Sequence, residues 1–423
     1  MNQLVRFEMP PTGQGLRWAV GARVASRCRE VQAALVAAAG DGLSIDPAIV
    51  GAMTLDVPRE TSALLSGGAG NKNCSAAELA ALAAELADVE ASLVLELLRE
   101  LGVSPSRVLV LGVDDPGLWH LRGGETIAQQ CLSDPVRLAE ATGLNTIDAF
   151  AARDLTRGGQ GGPLSALPEW LLLGDRDRGR LLVQLRRTMS ATYLPPTSAV
   201  RAAGRILSFQ TGPGTALLDR LAERLTAGEH RFDPGGRLAV QGCCIPQLLE
   251  HWLADSYFER PLPRWHPRGV SPDRYLTESL QLAVENDWSV RDLLCTATHF
   301  LAQTIGLAIG RRLPDDAQVD EIVVAGGGQH NGMLLHEIGR ATARPLVRAA
   351  ELGAPDEAFE AAGVALLALL AVDQVPANPS TITGTEVPRT LGRFTPGSPQ
   401  QWQRLLDTIA NAEPSARPLR SAV

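Results

Sequence analysis

The chain has 423 residues, 45% apolar and 20% charged, which is enough for two domains with a large buried core and is the balance of a soluble globular protein. A formal net charge of −8 argues against nucleic acid as the main partner, because phosphate backbones are held by basic surfaces. Lys72 is the only lysine, in the solvated-looking loop Gly70-Asn71-Lys72-Asn73, so lysine chemistry is not expected.

The opening residues 1–15 contain Pro and Gly and no apolar core of a secretory signal, which predicts a cytoplasmic protein with a loosely held start. Leu16 to Val20 reads as a short strand. Apolar residues recur at helical spacing over 76–101, with Ser75 as N-cap and Gly102 as stop. A buried strand follows over 107–112, and further short strands are predicted over 144–147, 181–185 and 206–209. The polar stretch 173–180 is the best linker between halves. Late in the chain, a strand over 321–325 feeds Gly326-Gly327-Gly328, and a helix is expected over 333–343. The longest apolar helix candidate, 361–372, is too short to cross a bilayer, so no membrane partner is expected. The tail 411–423 reads as disordered. Strands alternating with helices predict an α/β architecture. Similarity between the halves is too weak to claim a repeat. The six cysteines (28, 74, 131, 243, 244, 295) show no C-x-x-C spacing, so reduced thiols and no metal site are expected.

Four segments carry the chemical information. Residues 153–164 hold Gly158, Gly159, Gln160, Gly161 and Gly162, a run that lets backbone approach a ligand or another segment closely. Residues 209–219 read as a strand end, a tight turn (Gln210-Thr211-Gly212-Pro213-Gly214) and a helix start. Residues 323–332 form a Gly-rich strand-to-helix loop of the sort that packs against a nucleotide. Residues 351–361 lead into an apolar helix. Any one of them is weak evidence, since a Gly-rich turn is more often a tight connection than a site.

Their order and spacing together resemble the anhydro-N-acetylmuramic acid kinases, in the actin/hexokinase/Hsp70-type ATPase superfamily. Ser133-Asp134-Pro135, Ala139 to Gly143, Asp255-Ser256-Tyr257-Phe258 with Pro261-Leu262-Pro263, and Ile382-Thr383-Gly384 extend the resemblance from about Leu16 to about Pro396. It implies an α/β, two-lobed, ribonuclease H-like fold with a central cleft. The expected lobes are 1–176, with the 375–423 tail packed on it, and 177–374. Family members use water to open a 1,6-anhydro sugar while transferring the ATP γ-phosphate to its 6-oxygen. That chemistry needs a phosphate cradle, a carboxylate to activate water, and polar groups on the sugar. Dimerisation is common in the family, so a homodimer is expected.

Against that pattern the charged chemistry is exchanged. The Asp opening the family's "DTGPGN" is Gln210 here, and an amide cannot take a proton from water at neutral pH, a loss of about 10²–10⁴-fold. The final Asn of that motif is Thr215. The family's first phosphate loop, "SGTSLDGVD", matches residues 24–32, where both acids and both glycines are gone and Arg29 stands at an acidic position. The second, "NIGGIAN", matches 184–190, where Arg186 and Arg187 replace paired glycines and either fill the β- and γ-phosphate space or bind some other anion. "HGQT" becomes Asp114-Asp115-Pro116-Gly117, and "DFRR" becomes Ala149 to Ala152, leaving Arg153 and Asp154. "KSTGRE" becomes Arg264 to Gly269. The glycines Gly158 to Gly162, Gly212, Gly214 and Gly326 to Gly328 persist.

Losses in several places with the turns retained predict a degenerate kinase homologue. Its cleft then serves an ATP-independent reaction or small-molecule ligand, with no cofactor and no metal, and a specialised biosynthetic pathway fits. The alternative is an active ATP- and magnesium-dependent kinase with Asp114, Asp115 or Asp154 as a replacement base. Asp114 and Asp115 are also read as a solvated bend before Pro116. Trp265 and His266 could stack a planar ligand or lie in a surface loop. His299, among Leu293, Leu294, Phe300 and Leu301, is read as a satisfied core histidine.

Overall fold

Alternating polar and apolar residues along the strands decide which face each side chain joins. The computed structural model describes residues 3–7, 15–24, 29–58, 61–62, 75–122, 125–199 and 201–411. Residues 25–28 of the first phosphate-loop match, the Lys72 loop and the tail beyond 411 lie outside them. The chain first lays down β1 (Gln3–Arg6), β2 (Arg17–Val24), β3 (Glu30–Ala39), β4 (Asp46–Asp56), β5 (Val108–Asp114), the hairpin β6 (Leu118–Arg122) and β7 (Glu125–Gln130), and β8 (Thr146–Asp148). It then forms β9 (Arg180–Gln184), β10 (Met189–Leu194), β11 (Leu207–Gly212), β12 (Glu321–Ala325) and β13 (Leu346–Arg348), before β14 (Arg393–Thr395).

Two compact units result, one of residues 1–173 and 353–423, the other of 174–352. The first holds a sheet in the order β1-β4-β3-β2-β5-β8-β14, and the second a sheet in the order β11-β10-β9-β12-β13. Within each, three antiparallel strands in sequence are followed by strands parallel to the first of the three. Both units therefore carry the ribonuclease H-like strand order, a structural duplication that the sequence comparison of the halves did not reveal. The chain leaves the first unit after Leu173 and returns at Gly353, well before position 375. The early return has a physical cause: the apolar helix Asp356–Val372 packs on β2, β3 and β5 of the first sheet.

In β2, Trp18, Val20, Ala22 and Val24 face the helix Ala76–Glu100 in one core cluster. Ser75 and Glu78 close a capping box at that helix's start, and Gly102 follows its end with a positive φ of 67°. The opposite face of the sheet meets the helix Asp356–Val372 at Gly21 and Gly112. A Cβ on Gly21 would stand 1.9 Å from the carbonyl oxygen of Ala361, and one on Gly112 would stand 2.6 Å from that of Val364. Helix and sheet backbones thus touch almost directly.

In the second unit the helix Val290–Arg312 runs through the core, burying Leu293, Leu294, Phe300, Leu301 and Ile305. Among the described residues it is the one helix long and apolar enough to cross a membrane, so the sequence reading that gave 361–372 as the longest apolar candidate is corrected. Its most apolar window is 67% buried, as a core helix requires. Gly21→Ala should destabilise the protein by about 1–3 kcal/mol or more by overpacking, read as a lower urea midpoint at an unchanged m-value.

Candidate functional site

The ends of the second unit's strands carry a row of two carboxamides and a hydroxyl. Gln184 pairs in register with Ser190, and Ser190 with Gln210, across β9, β10 and β11. The Gln210 side chain donates from Nε2 to the carbonyl of His266 at 2.9 Å and accepts the His266 N–H at Oε1 at 3.1 Å. Its main chain is held as firmly. The Gln210 N–H donates to the Arg264 carbonyl at 2.9 Å, while its carbonyl accepts from the Tyr257 hydroxyl and from Arg264 Nε, both at 3.0 Å. Arg264 is buried, with its guanidinium 4.6 Å from the Tyr257 ring centroid and 5.7 Å from that of Phe209. Residue 210 is thereby knotted into the segment 257–266.

His266 belongs to the same knot. Burial lowers its pKa, with the Arg268 and Arg260 guanidiniums acting in the same direction. A neutral ring suits its Nδ1, which accepts the Arg268 N–H at 3.2 Å. Trp265 beside it is half-buried. Thr188 Oγ1 accepts the Val270 N–H at 3.3 Å and lies 2.0 Å from where a Cβ on Gly269 would stand.

The turn 185–188 lies in the segment that the resemblance matches to the second phosphate loop. Thr215 N–H donates to the Arg186 carbonyl at 2.8 Å, Ala216 N–H to that of Arg187 at 3.3 Å, and Gly328 N–H to that of Leu185 at 2.9 Å. Two N–H groups at the start of the helix Thr215–Leu225, which an anion could otherwise take, are therefore spent on the chain itself. Gly214 sits at φ +64°, and its Cβ would lie 2.2 Å from the Arg186 carbonyl. A Cβ on Gly326 would meet Arg186 Cγ at 2.9 Å, and one on Gly328 would meet Leu185 Cβ at 2.7 Å. Arg186 is half-buried with Nε donating to Gln184 Oε1 at 2.9 Å, and Arg187 is exposed. Gly212 makes only ordinary contacts, and Gly327 faces open space.

In the first unit, Arg23 and Asp114 are register partners at the carboxyl ends of the parallel strands β2 and β5. Open α/β sheets commonly place ligands outside such strand ends. Arg23 pairs with Glu360 of the helix Asp356–Val372. Asp114 reaches solvent, yet protein mass around the strand end pushes its carboxyl up, against the pull of Arg23. Asp115 is different. It is buried and accepts the N–H groups of Gly117 at 2.7 Å, Leu132 at 2.8 Å and Ser133 at 2.9 Å. Burial pushes it up to about 6 even so. It is a turn anchor, in keeping with the bend read before Pro116, although it is buried where the sequence reading had it solvated.

Asp154 is fully buried and accepts from Gly161 N at 2.8 Å, Asn378 Nδ2 at 2.7 Å and Thr383 Oγ1 at 2.7 Å. Its carboxylate clamps the 158–161 loop to the 378–383 segment, so its candidacy as a replacement base is also corrected. Gly159 is required there, since a Cβ would fall 2.1 Å from Asp154 Oδ2. Gly158 turns at φ +77°, and Gln160 N–H donates to the Thr383 carbonyl at 3.0 Å.

A family model described as anhydro-N-acetylmuramic acid kinase matches residues 33–397. The chain belongs to the anhydro-N-acetylmuramic acid kinase family. It is 32% identical over 360 residues to the anhydro-N-acetylmuramic acid kinase of Gloeobacter violaceus, covering 83% of this chain and 91% of that one. To the enzyme of the same name from Salinibacter ruber it is 30% identical over 392 residues, covering 90% and 97%. A xylulose kinase structure from Rhodospirillum rubrum is similar at 11% identity and a TM-score of 0.42, covering 93% of this chain and 97% of that one. That likeness is too loose to add to the assignment. Among anhydro-N-acetylmuramic acid kinase family positions, the structure brings Gln210, His266, Arg186, Gly214, Gly326 and Gly328 into one neighbourhood of the second unit. Asp114, Asp115, Asp154 and Gly158 to Gln160 lie in the first.

Sequence reasoning missed Glu90. It is fully buried on the helix Ala76–Glu100, accepts the Ser133 hydroxyl at 2.5 Å, and its Oε1 has no hydrogen-bond partner. Burial pushes it up to about 8, opposed by the Ser133 hydrogen bond and reinforced by Asp115, Asp114 and Asp148. The available signal was a Glu on the apolar stripe between Leu86 and Leu93, on the helix face that also buries Ala87 and Val94.

Two outcomes follow from these geometries. Gln210→Glu should place a carboxylate oxygen against the His266 carbonyl and cost about 1–3 kcal/mol at neutral pH. That carboxyl's folded pKa would be raised, so the deficit should shrink as pH falls toward the ordinary Glu value near 4.3, as equilibrium unfolding across pH would show. Glu90 in the folded state titrates near 8 against an ordinary 4.5, so its folded state holds the extra proton. Its stabilising share is complete below that ordinary value and is lost as pH rises through about 8. Glu90→Gln should flatten that part of the stability profile.

Proposed function

We propose that this member of the anhydro-N-acetylmuramic acid kinase family has lost ATP-dependent phosphorylation of its sugar. The positions that served nucleotide and sugar now serve an ATP-independent reaction or hold a small ligand. The single observation that carries this reading is the Gln210 carboxamide, whose donor and acceptor are both committed to the backbone of His266. Nothing at that position can accept a proton from water. The 185–188 turn supports the reading, since its carbonyls occupy helix N–H groups and its arginines stand where the family has paired glycines. A role in a specialised pathway, in the cytoplasm and as a homodimer, belongs to the same proposal.

One observation favours a second reading. Asp114 keeps a solvent-reaching carboxyl with a raised pKa at a strand end, beside Arg23. It could act as a base in a rewired ATP-dependent enzyme. The purified protein decides between the two. With magnesium, ATP and 1,6-anhydro-N-acetylmuramic acid, the first reading expects no sugar-dependent ADP release and no saturable heat on titrating ATP. Sustained ADP release that is abolished by Asp114→Asn and unaffected by Gln210→Ala would overturn it in favour of the second.

A further inference from the structure

Among the described strands, β6 and β7 alone join neither large sheet; they pair only with each other. A two-stranded hairpin is marginally stable by itself in water, so its attachment to the body decides whether it holds its place. Its strands pack on the helix Phe150–Leu155, and its root is tied by one carboxylate. Asp115, just before the hairpin, accepts the Gly117 N–H at the entry and the Leu132 and Ser133 N–H groups past the exit. Trp119 Nε1 donates to the Pro116 carbonyl at 2.7 Å within the same root.

Ser133 joins that root to the core of the unit. Its N–H goes to Asp115 at 2.9 Å, and its hydroxyl to Glu90 Oε2 at 2.5 Å on the helix Ala76–Glu100. Glu90 is fully buried and its Oε1 has no partner. The charges that reach it are acids: Asp115 at the root, Asp114 at the end of β5 and Asp148 at the end of β8. The nearby bases are engaged elsewhere. Arg23, beside Asp114, pairs with Glu360; Arg393 holds Asp148 at 2.5 and 3.0 Å; and Arg137 of the helix Pro135–Thr142 is bonded to Asp88 at the surface. Cys131, also in the root, stays a neutral thiol, since burial pushes it up to about 12. From β2, β3 and β4 the same core is filled by apolar side chains such as Val24, Val31 and Met53.

A neutral carboxyl tolerates one bare oxygen in such a place; a carboxylate with no counter-charge does not. Asp115 ionises near 6, while burial keeps the proton on Glu90 up to about 8. Between those values one carboxylate and one neutral carboxyl share Ser133, and above them two carboxylates do. Because the folded pKa of Glu90 is raised, its stabilising share is present in acid and lost as pH rises through about 8. The smallest relief is local. Releasing Ser133 lets water reach Glu90 and parts it from Asp115, with the helix Ala76–Glu100 left packed. We propose that Glu90 and Ser133 form a proton-operated latch at the root of the β6–β7 hairpin, seated while Glu90 keeps its proton and released when Glu90 loses it. Asp114 adjoins the root in sequence, so the latch borders the strand end described above.

The experiment follows the Trp119 fluorine resonance of the full-length protein labelled with fluorotryptophan, from about pH 6 to about pH 9.5. Trp119→Phe identifies that resonance by its disappearance. The expected result is one titration step with a midpoint near 8, unchanged far-UV circular dichroism across it, and no such step in Glu90→Gln. Ser133→Ala removes the hydrogen bond that favours the charged form, so the step should move to higher pH. That variant keeps the idea testable should Glu90→Gln fail to fold. The proposal is overturned by a resonance that does not titrate in this range, or by a midpoint that Ser133→Ala leaves in place. It is equally overturned by a step that persists in Glu90→Gln, which then belongs to another group such as the exposed His120 on β6, or by one that coincides with loss of the dichroism.

Discussion

A carboxamide that donates to one end of a residue's backbone and accepts from the other organises the second unit's candidate site. Only a group with both a donor and an acceptor can match the N–H and carbonyl of His266 together. A carboxylate there would leave the carbonyl facing an oxygen. The consequences spread outward along covalent and hydrogen-bonded neighbours. His266 is fixed, so Arg264 is held under the Tyr257 and Phe209 rings, and the Gly269 turn closes on Thr188 at the end of the 185–188 turn. Where the resemblance expects an Asp, Gln210 secures a loop, with its donor and acceptor both committed to the His266 backbone.

The same logic revises what the retained glycines mean. Read along the sequence, they suggested a retained fold and, with it, a cleft for a ligand. In the folded chain Gly214, Gly326 and Gly328 are demanded by the backbone and side chains of 185–187, and Gly159 by the Asp154 carboxylate. Gly21 and Gly112 are demanded by the helix that crosses the first sheet. Of the retained glycines, Gly158, Gly212 and Gly327 lack a tight internal neighbour. Most of the glycine pattern is explained by the requirement that chain pack against chain, so its persistence testifies to the fold and says little about a nucleotide.

The helix Ala76–Glu100, its Ser75 cap and the strands at β5 and β12 were legible because each rests on local signals: a capping box, a 3.6-residue period, a run of β-branched residues. The family was legible because Gly-rich turns occur in a fixed order. The duplication of strand order was not, since topology depends on pairing between distant segments and the two halves share no pattern beyond alternation. The placement of the helix Asp356–Val372 was misjudged for a related reason. An apolar run declares that it is buried but not against which sheet, and the deciding residues, Gly21 and Gly112, lie far away in sequence. The roles of Asp115 and Asp154 were invisible because a carboxylate that anchors backbone N–H groups and one that moves protons have the same letter in the sequence. Three-dimensional partners alone separate them.

The distribution of charge across the two units supports one further step. In the first unit acids persist near the strand ends, but their charges are managed. Asp148 is held by Arg393 at 2.5 and 3.0 Å, Asp115 by three N–H groups, and Glu90 by keeping its proton. Asp114 reaches solvent at the carboxyl end of its strand, and Arg23 is its register neighbour. In the second unit the row Gln184, Ser190 and Gln210 is neutral, and the charges beside it are guanidiniums. A polyanionic nucleotide with its magnesium needs acids to hold the hydrated metal and open N–H groups to hold phosphate. The second unit's row holds two carboxamides and a serine hydroxyl with arginines beside it, and two of its helix N–H groups are taken by the 185–188 turn. Asp114, in the first unit, keeps a solvent-reaching carboxyl whose pKa is pushed up by the surrounding protein.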